Sequence, residues 1–321
     1  MIRTIRAAIL LVRPAQWVKN VFVFSALVFG AKNQDPAAIL TSIEAFAIFC
    51  MLSGSVYALN DLLDYREDAL HPTKKTRPVA SGAISPVMAG VISVLLTATG
   101  VLLASRLPRG FLTTAIGYLL LNLFYNLAGK RQVLLDVILI AIGFVLRALA
   151  GAQAIEVGVS AWLVICTFTL CLFLGFGKRR CEIAHIGNKD RAKAHRATLS
   201  LYTPDLLNQL LSTTGGIAVI TFLLYTLDPG SPGASHSLVF TTPLVIYAIF
   251  RYAMVIERGE RTGPTDVLIK DRPFLITGLL WVLMTIGLMY RGDLVEPYLP
   301  KLRYPGTPAT TAPVEKTITP R

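Results

Sequence analysis

The side chains best equipped for chemistry crowd into one stretch, Asn60-Asp61-Leu62-Leu63-Asp64-Tyr65-Arg66-Glu67-Asp68, followed by His71-Pro72-Thr73-Lys74-Lys75-Thr76-Arg77-Pro78. Asp61, Asp64 and Asp68 are spaced i, i+3, i+7, so a helix puts all three carboxylates on one face. Three like charges on one face repel, and a hard divalent cation removes that penalty. Mg²⁺ is suited to the task, because it takes one or two carboxylates and completes its shell with water and substrate phosphates. Lys74, Lys75 and Arg77 then supply cations for phosphate oxygens. The competing reading is a solvated helix end of mixed charge.

Two further segments carry polar groups next to apolar runs. One is Asn122-x-x-Tyr125-Asn126-x-x-x-Lys130-Arg131, which interface anchoring by Tyr and cations would also explain. The other is Gly177-Lys178-Arg179-Arg180-Cys181-Glu182, with Lys189, Arg191, Lys193 and Arg196 beyond it, then Tyr202. Its seven cations face only Glu182 and Asp190, a balance that suits a polyanionic ligand or anionic lipid headgroups. Arg147 is a lone cation inside an apolar run, where charge is costly and often functional. Asp136 lies eleven residues earlier on the same helical face. At ~16 Å of rise the two do not pair, so a carbonyl, a neighbouring helix or a ligand phosphate is the expected partner of Arg147.

These groups need a scaffold, and composition identifies its class. The chain has 321 residues, 54% hydrophobic and 16% charged, with mean hydropathy +0.59. A soluble domain carries about 25% charged residues. The deficit, with repeated apolar runs near 20 residues, predicts an all-α polytopic membrane protein. The net charge of +12 is then an excess of loop Lys and Arg, and no nucleic-acid partner is inferred. Cys50, Cys166, Cys171 and Cys181 form no C-x-x-C pair and suggest neither a disulfide framework nor a zinc site. The apolar stretch Ala7 to Val12 is too short for a signal peptide and is interrupted by Arg13, so the N-terminus is expected to be mature sequence.

Nine spans are predicted: about 14–30, 36–58, 86–104, 111–127, 134–154, 160–175, 204–227, 238–256 and 271–290, after a basic segment, 1–13, suited to the membrane surface. Residues 1–296 read as one transmembrane domain, and the Pro- and Thr-rich tail, 297–321, is expected to be disordered. Alternate loops differ in charge. One side collects Arg3 to Lys19, Arg66 to Arg77, Lys130 and Arg131, Lys178 to Arg196, and Arg258 to Arg272; the short loops opposite hold only Lys32, Arg106 and Arg109. The bias places the N-terminus and the aspartates in the cytoplasm.

The motif Asn60-Asp61-x-x-Asp64-x-x-x-Asp68 with Arg77-Pro78, the pair Tyr125 and Lys130, and nine spans resemble the UbiA superfamily of membrane prenyltransferases. Within it, Arg13-Pro-Ala-Gln-Trp17-Val-Lys19-Asn20, His71-Pro72-Thr73-Lys74 and Gly177-Lys178-Arg179 resemble the decaprenyl-phosphate phosphoribosyltransferase branch. The resemblance implies a UbiA-like bundle around a cytoplasm-facing cavity in the bacterial inner membrane, and a Mg²⁺-dependent transfer of 5-phosphoribose from 5-phosphoribosyl 1-diphosphate to a polyprenyl phosphate, a lipid-linked precursor for cell-wall arabinan. It implies Asp61 and Asp64 as catalytic metal ligands, with Asp68 as a third or as an orienting partner of Lys74 or Arg77. Asn60, Lys74, Arg77, Tyr125, Lys130, Lys178, Arg179 and Glu182 would bind the donor; Gln16, Lys19 and Arg147 would bind the acceptor. Ordinary members carry a second aspartate-rich motif after the sixth span, where this chain has Lys178, Arg179, Arg180 and Glu182. Cations in place of carboxylates favour a donor with a bare phosphate besides its metal-bound diphosphate.

Two other readings stay open. An aromatic-acceptor prenyltransferase of the same fold would need a second carboxylate pair near the sixth span. A transporter or flippase for a phosphorylated lipid could use the basic loops and Arg147, but would not need clustered aspartates, and no internal repeat supports it. Membrane lipids are expected neighbours, and a homo-oligomer is left open.

Overall fold

The computed structural model describes residues 2–30, 32, 34–71, 74–186, 197–228, 230, 236–259, 267 and 270–295. Among them there is no strand, and nine helical stretches are long and apolar enough to cross a membrane. Helix α1 (Ile2–Val12) is followed by a 3₁₀ segment (Pro14–Phe24) and a short helix α2 (Ser25–Phe29). Next come α3 (Pro36–Leu70), α4 (Pro86–Ala104), α5 (Arg109–Leu127), α6 (Leu135–Ala154) and α7 (Ala161–Ile186). The chain closes with α8 (Pro204–Leu227), α9 (Thr242–Glu257) and α10 (Arg272–Val295).

Local chemistry sets the starts. Asp35 caps α3 by accepting hydrogen bonds from the backbone N–H groups of Ala37 (3.0 Å) and Ala38 (3.4 Å), with Pro36 in the first turn. Ser85 does the same for α4 and Thr203 for α8, each ahead of a proline. Packing then separates centre from rim. About half of the apolar window is buried in α3 (50%) and α6 (56%), against 17% in α10, which leaves most of its surface to lipid. Helix α6 joins two core clusters. Val137 packs with Phe173 of α7 and Tyr252 of α9, while Ala150 and Ala154 pack with Phe49 of α3 and Phe111 and Tyr118 of α5.

Three expectations about the spans change. The second and sixth spans were expected to end near Ala58 and Gly175, where hydropathy falls. Instead α3 runs to Leu70 and α7 to Ile186. Hydropathy marks where the membrane ends, and nothing breaks the helix of α3 until His71-Pro72. Its 35 residues make a rod of ~52 Å, well beyond a ~30 Å hydrocarbon core, and the excess carries the aspartates. The first span is not a regular α-helix: it breaks at Arg13 (φ 52) and continues as the 3₁₀ segment. Residues 2–12 do not simply float on a surface either. Ala7 and Leu11 pack against Ala58 of α3, Ala89 of α4, and Val79 and Ile84 between them, while Ile5, Ile9 and Leu10 face outward. The tail, 297–321, lies outside the described residues.

The irregular first span needs close approach to α6. A Cβ added at Gly151 would overlap the carbonyl oxygen of Val23, backbone that cannot step aside. Gly151→Ala should therefore lower the thermal midpoint in detergent, by an overpacking cost of about 1–3 kcal/mol. Gly117→Ala, where nothing lies within 4 Å, should leave it unchanged or slightly raised. Equal midpoints for the two variants would contradict the packing described.

Candidate active site

The extension of α3 presents Asp61, Asp64 and Asp68 on one face, and each meets a cation from another element. Asp61 is 1% exposed; its Oδ1 accepts from the guanidinium of Arg13 and lies 3.6 Å from that of Arg77. Arg77, from the loop after α3, donates to Asp68 Oδ2 at 2.5 Å. Lys130, from the 3₁₀ turn after α5, grips Asp64 with Nζ–Oδ distances of 2.5 and 2.7 Å. Thus the mutual repulsion read from the sequence is relieved by three protein cations. Arg13 is held in the left-handed region and also lies over the Tyr57 ring, 5.1 Å from its centroid.

Whether the carboxylates suit Mg²⁺ can be judged from their unspent atoms. Asp61 Oδ2 is buried and has no hydrogen-bond partner. Asp64, one turn away, is partly exposed, and both its oxygens accept from Lys130, which must release them before an ion can bind. That pair fits an ion whose remaining ligands are water and phosphate oxygens. Asp68 is tied to Arg77. No group of three or more His, Cys, Asp or Glu among the described residues could by itself cage a metal.

The end of α7 carries a second polar cluster. Arg179 is only 3% exposed, with Nε 3.1 Å from Asp136 Oδ2 and a terminal nitrogen 2.5 Å from Glu182 Oε2. The Tyr202 hydroxyl donates to Asp136 Oδ1 at 3.0 Å and accepts from the backbone N–H of Leu134 at 2.8 Å. Burial, then the Asp136 carboxylate, push the Tyr202 phenol well above its ordinary range, so it remains a proton donor there. Leu134 holds a positive φ of 67 at the start of α6, and this bond helps fix it. Lys178, by contrast, is exposed, its Nζ 3.9 Å from Glu182 Oε1. Arg180 bonds instead to Asn208 and Glu257. Lys189, Asp190, Arg191, Lys193 and Arg196 lie outside the described residues, as do Pro72 and Thr73.

The remaining expected site residues are spread over α3, α5, α6, the first 3₁₀ segment and the turn after α3. Tyr125 is an electrostatic neighbour of both Tyr57 on α3 and Arg179 on α7. Lys74 opens the 3₁₀ turn Lys74–Thr76, its N–H 3.4 Å from His71 Nδ1, and Asn60 sits half-buried beside Asp61. Gln16 and Lys19 are half-buried on the 3₁₀ segment, and the charged neighbours of Lys19 are Lys178, Arg147 and Arg13. Arg147 donates to Asn20 Oδ1, the Gly143 carbonyl and the Tyr118 hydroxyl, each at 2.8 Å. These are the carbonyl and neighbouring-helix partners anticipated for it. Sequence reasoning assigned no role to Arg13, although its place before Pro14, at a helix break, is visible in the sequence. The role of Asp136 as partner of Arg179 has no sequence signal, since the two are 43 residues apart.

Residues 20–275 match the UbiA prenyltransferase family. A decaprenyl-phosphate phosphoribosyltransferase of Corynebacterium glutamicum is 32% identical over 286 residues, 87% of this chain and 85% of that protein. A protein of the same name from Mycobacterium tuberculosis is 30% identical over 280 residues, 86% of this chain and 91% of its own. Among solved structures, a UbiA homologue from Archaeoglobus fulgidus bound to GPP and Mg²⁺ superposes with a TM-score of 0.68 at 20% identity, covering 88% of this chain and 99% of that one. Fold, aspartate face and sequence agree: the chain belongs to the UbiA prenyltransferase family.

Proposed function

We propose that the protein transfers 5-phosphoribose from 5-phosphoribosyl 1-diphosphate to a polyprenyl phosphate and releases diphosphate. The observation that carries this reading is the exposed Lys178 on the α7 extension, where ordinary family members carry carboxylates. There the chain offers an exposed cation, and relatives of like length in Corynebacterium glutamicum and Mycobacterium tuberculosis are named decaprenyl-phosphate phosphoribosyltransferase. No second carboxylate pair stands at that position for an aromatic prenyltransferase to use.

In this scheme an oxygen of the acceptor phosphate attacks C1 of the ribose, and the bond from C1 to the diphosphate oxygen breaks. The attacking oxygen is already anionic, so no general base is required. Asp61 and Asp64 would hold Mg²⁺, which when bound supplies positive charge where the departing diphosphate gathers negative charge. Arg77, Lys74, Asn60, Tyr125 and Lys130 line the diphosphate side, and Lys178, oriented by Glu182, takes the 5-phosphate. Arg13, freed from Asp61, can donate to the same diphosphate. Arg179 acts differently from its sequence assignment: locked between Asp136 and Glu182, it braces the wall that carries Lys178. Gln16 and Lys19 meet the acceptor phosphate at interface depth, because the isoprenoid chain cannot leave the bilayer. The donor is water-soluble, so the polar end of the bundle faces the cytoplasm, in keeping with its cationic loops; in a bacterium the membrane is then the inner one, and the product suits cell-wall arabinan synthesis.

Purified protein with Mg²⁺, 5-phosphoribosyl 1-diphosphate and decaprenyl phosphate should yield one lipid heavier by a phosphoribosyl group, with one diphosphate released. Asp61→Asn and Asp64→Asn should each abolish it without unfolding the protein. Prenyl transfer from a prenyl diphosphate to an aromatic acceptor, with no phosphoribosyl lipid, would overturn the reading.

The α7 wall makes a second prediction. Lys178→Ala should weaken donor binding roughly ten- to a hundredfold, the loss of one charged hydrogen bond, and leave the melting midpoint unchanged. Arg179→Ala strands a buried carboxylate and should destabilise the fold by about 3–5 kcal/mol. Calorimetry and donor titration on both variants check the split; the opposite pattern would make Arg179 the ligand contact.

A further inference from the structure

The segment Pro14–Phe24 stays 3₁₀ for 11 residues, whereas such runs seldom exceed three or four. Its exposure follows a period of three. Val18 and Val21 are 64% and 51% exposed, Asn20 and Val23 are buried, and Gln16, Lys19 and Phe22 form an intermediate row. Arg13 heads that row, since its carbonyl accepts the N–H of Gln16 at 2.8 Å. In an α-helix the same residues would fan out by ~60° per step; at three residues per turn they stack about 6 Å apart. The result is one line of polar side chains, from Arg13 at Asp61 through Gln16 to Lys19.

Something must hold so unfavourable a helix, and the contacts converge on Asn20. It is fully buried, and its amide nitrogen faces Ser53 Oγ (3.1 Å) and Cys50 Sγ (3.3 Å) on α3. Its oxygen accepts from Arg147 Nε of α6. Arg147 is 6% exposed and has no carboxylate partner among the described residues. Its other donors go to Gly143 and Tyr118, and its guanidinium lies 4.7 and 5.3 Å from the ring centroids of Tyr118 and Phe144. The guanidinium is thus built into the scaffold and aimed at Asn20, a buried anchor of the 3₁₀ segment alongside the Phe22–Phe144 contact and the Val23–Gly151 approach.

We infer that Arg147 is a positioning residue: through Asn20 it sets the register of the row Arg13, Gln16 and Lys19, and Gln16 and Lys19 of that row receive the phosphomonoester head of the membrane-borne substrate. The inference rests on the function proposed above, and it moves Arg147 from acceptor contact to support of the contact.

The test is a double-mutant cycle on binding of decaprenyl phosphate and decaprenol to the full chain in nanodiscs, with Val18→Ala on the exposed row as control. Lys19→Ala should weaken the phosphate roughly ten- to a hundredfold and leave the alcohol unchanged. Arg147→Lys should also weaken only the phosphate, and adding it to Lys19→Ala should cost less than a further threefold, because both act on one contact. If Arg147→Lys does not fold, Tyr118→Phe, which removes one acceptor from the guanidinium and keeps the ring, replaces it in the cycle. Fully additive losses would show that Arg147 meets the phosphate itself, and equal losses for phosphate and alcohol would show a packing defect; either overturns the inference. Wild-type protein that binds the alcohol as tightly as the phosphate would overturn the proposed function instead.

Discussion

Charge pairing at the end of an apolar bundle is the constraint on which this structure depends. A buried carboxylate left without a partner costs several kcal/mol, and both Asp61 and Asp136 are almost wholly buried. Each is matched by cations from distant parts of the chain: Arg13 and Arg77 for Asp61, Arg179 for Asp136. Lys130 and Arg77 do the same for Asp64 and Asp68. These pairs fasten the start of the first span, the loop after α3 and the turn after α5 to α3, and the end of α7 to the start of α6. Hydrophobic contact alone would not fix their relative positions so closely, since lipid competes for the same apolar surfaces.

The same groups that fasten the bundle are those a phosphorylated substrate would engage. In the proposed reaction Arg13, Arg77 and Lys130 exchange carboxylates for phosphate oxygens, and Asp61 and Asp64 turn to a metal. Asp61 Oδ2, buried with no hydrogen bond, is the atom left for the metal in that proposed exchange. The group Arg179, Asp136 and Tyr202 is satisfied by contrast, and in the proposed reaction it remains as scaffold while the aspartate face changes partners.

Much of the fold was legible in the sequence, because membrane burial writes itself as apolar runs and the caps Asp35, Ser85 and Thr203 mark helix starts. The aspartate face was legible from spacing alone. What stayed hidden follows from two physical facts. Hydropathy reports the membrane boundary, whereas helices end at breakers, so α3 and α7 outran their predicted ends and lifted Asp61 to Asp68 and Lys178 to Glu182 onto rigid helix. Tertiary contact also overrides local preference: the 3₁₀ course of Pro14–Phe24 depends on Gly151, Asn20 and Arg147, which lie far apart in the chain. Pairings such as Arg13 with Asp61 and Arg179 with Asp136 are equally non-local, and spacing cannot reveal them.

The central claim is that the aspartate face is neutralised by protein cations and becomes a metal site only together with the donor. Mn²⁺ binding followed by electron paramagnetic resonance, with and without 5-phosphoribosyl 1-diphosphate, tests it most directly. The account predicts weak Mn²⁺ binding to the protein alone and at least tenfold tighter binding with donor, a coupling of about 1.4 kcal/mol or more, lost in Asp61→Asn. Tight Mn²⁺ binding that is indifferent to the donor would contradict it.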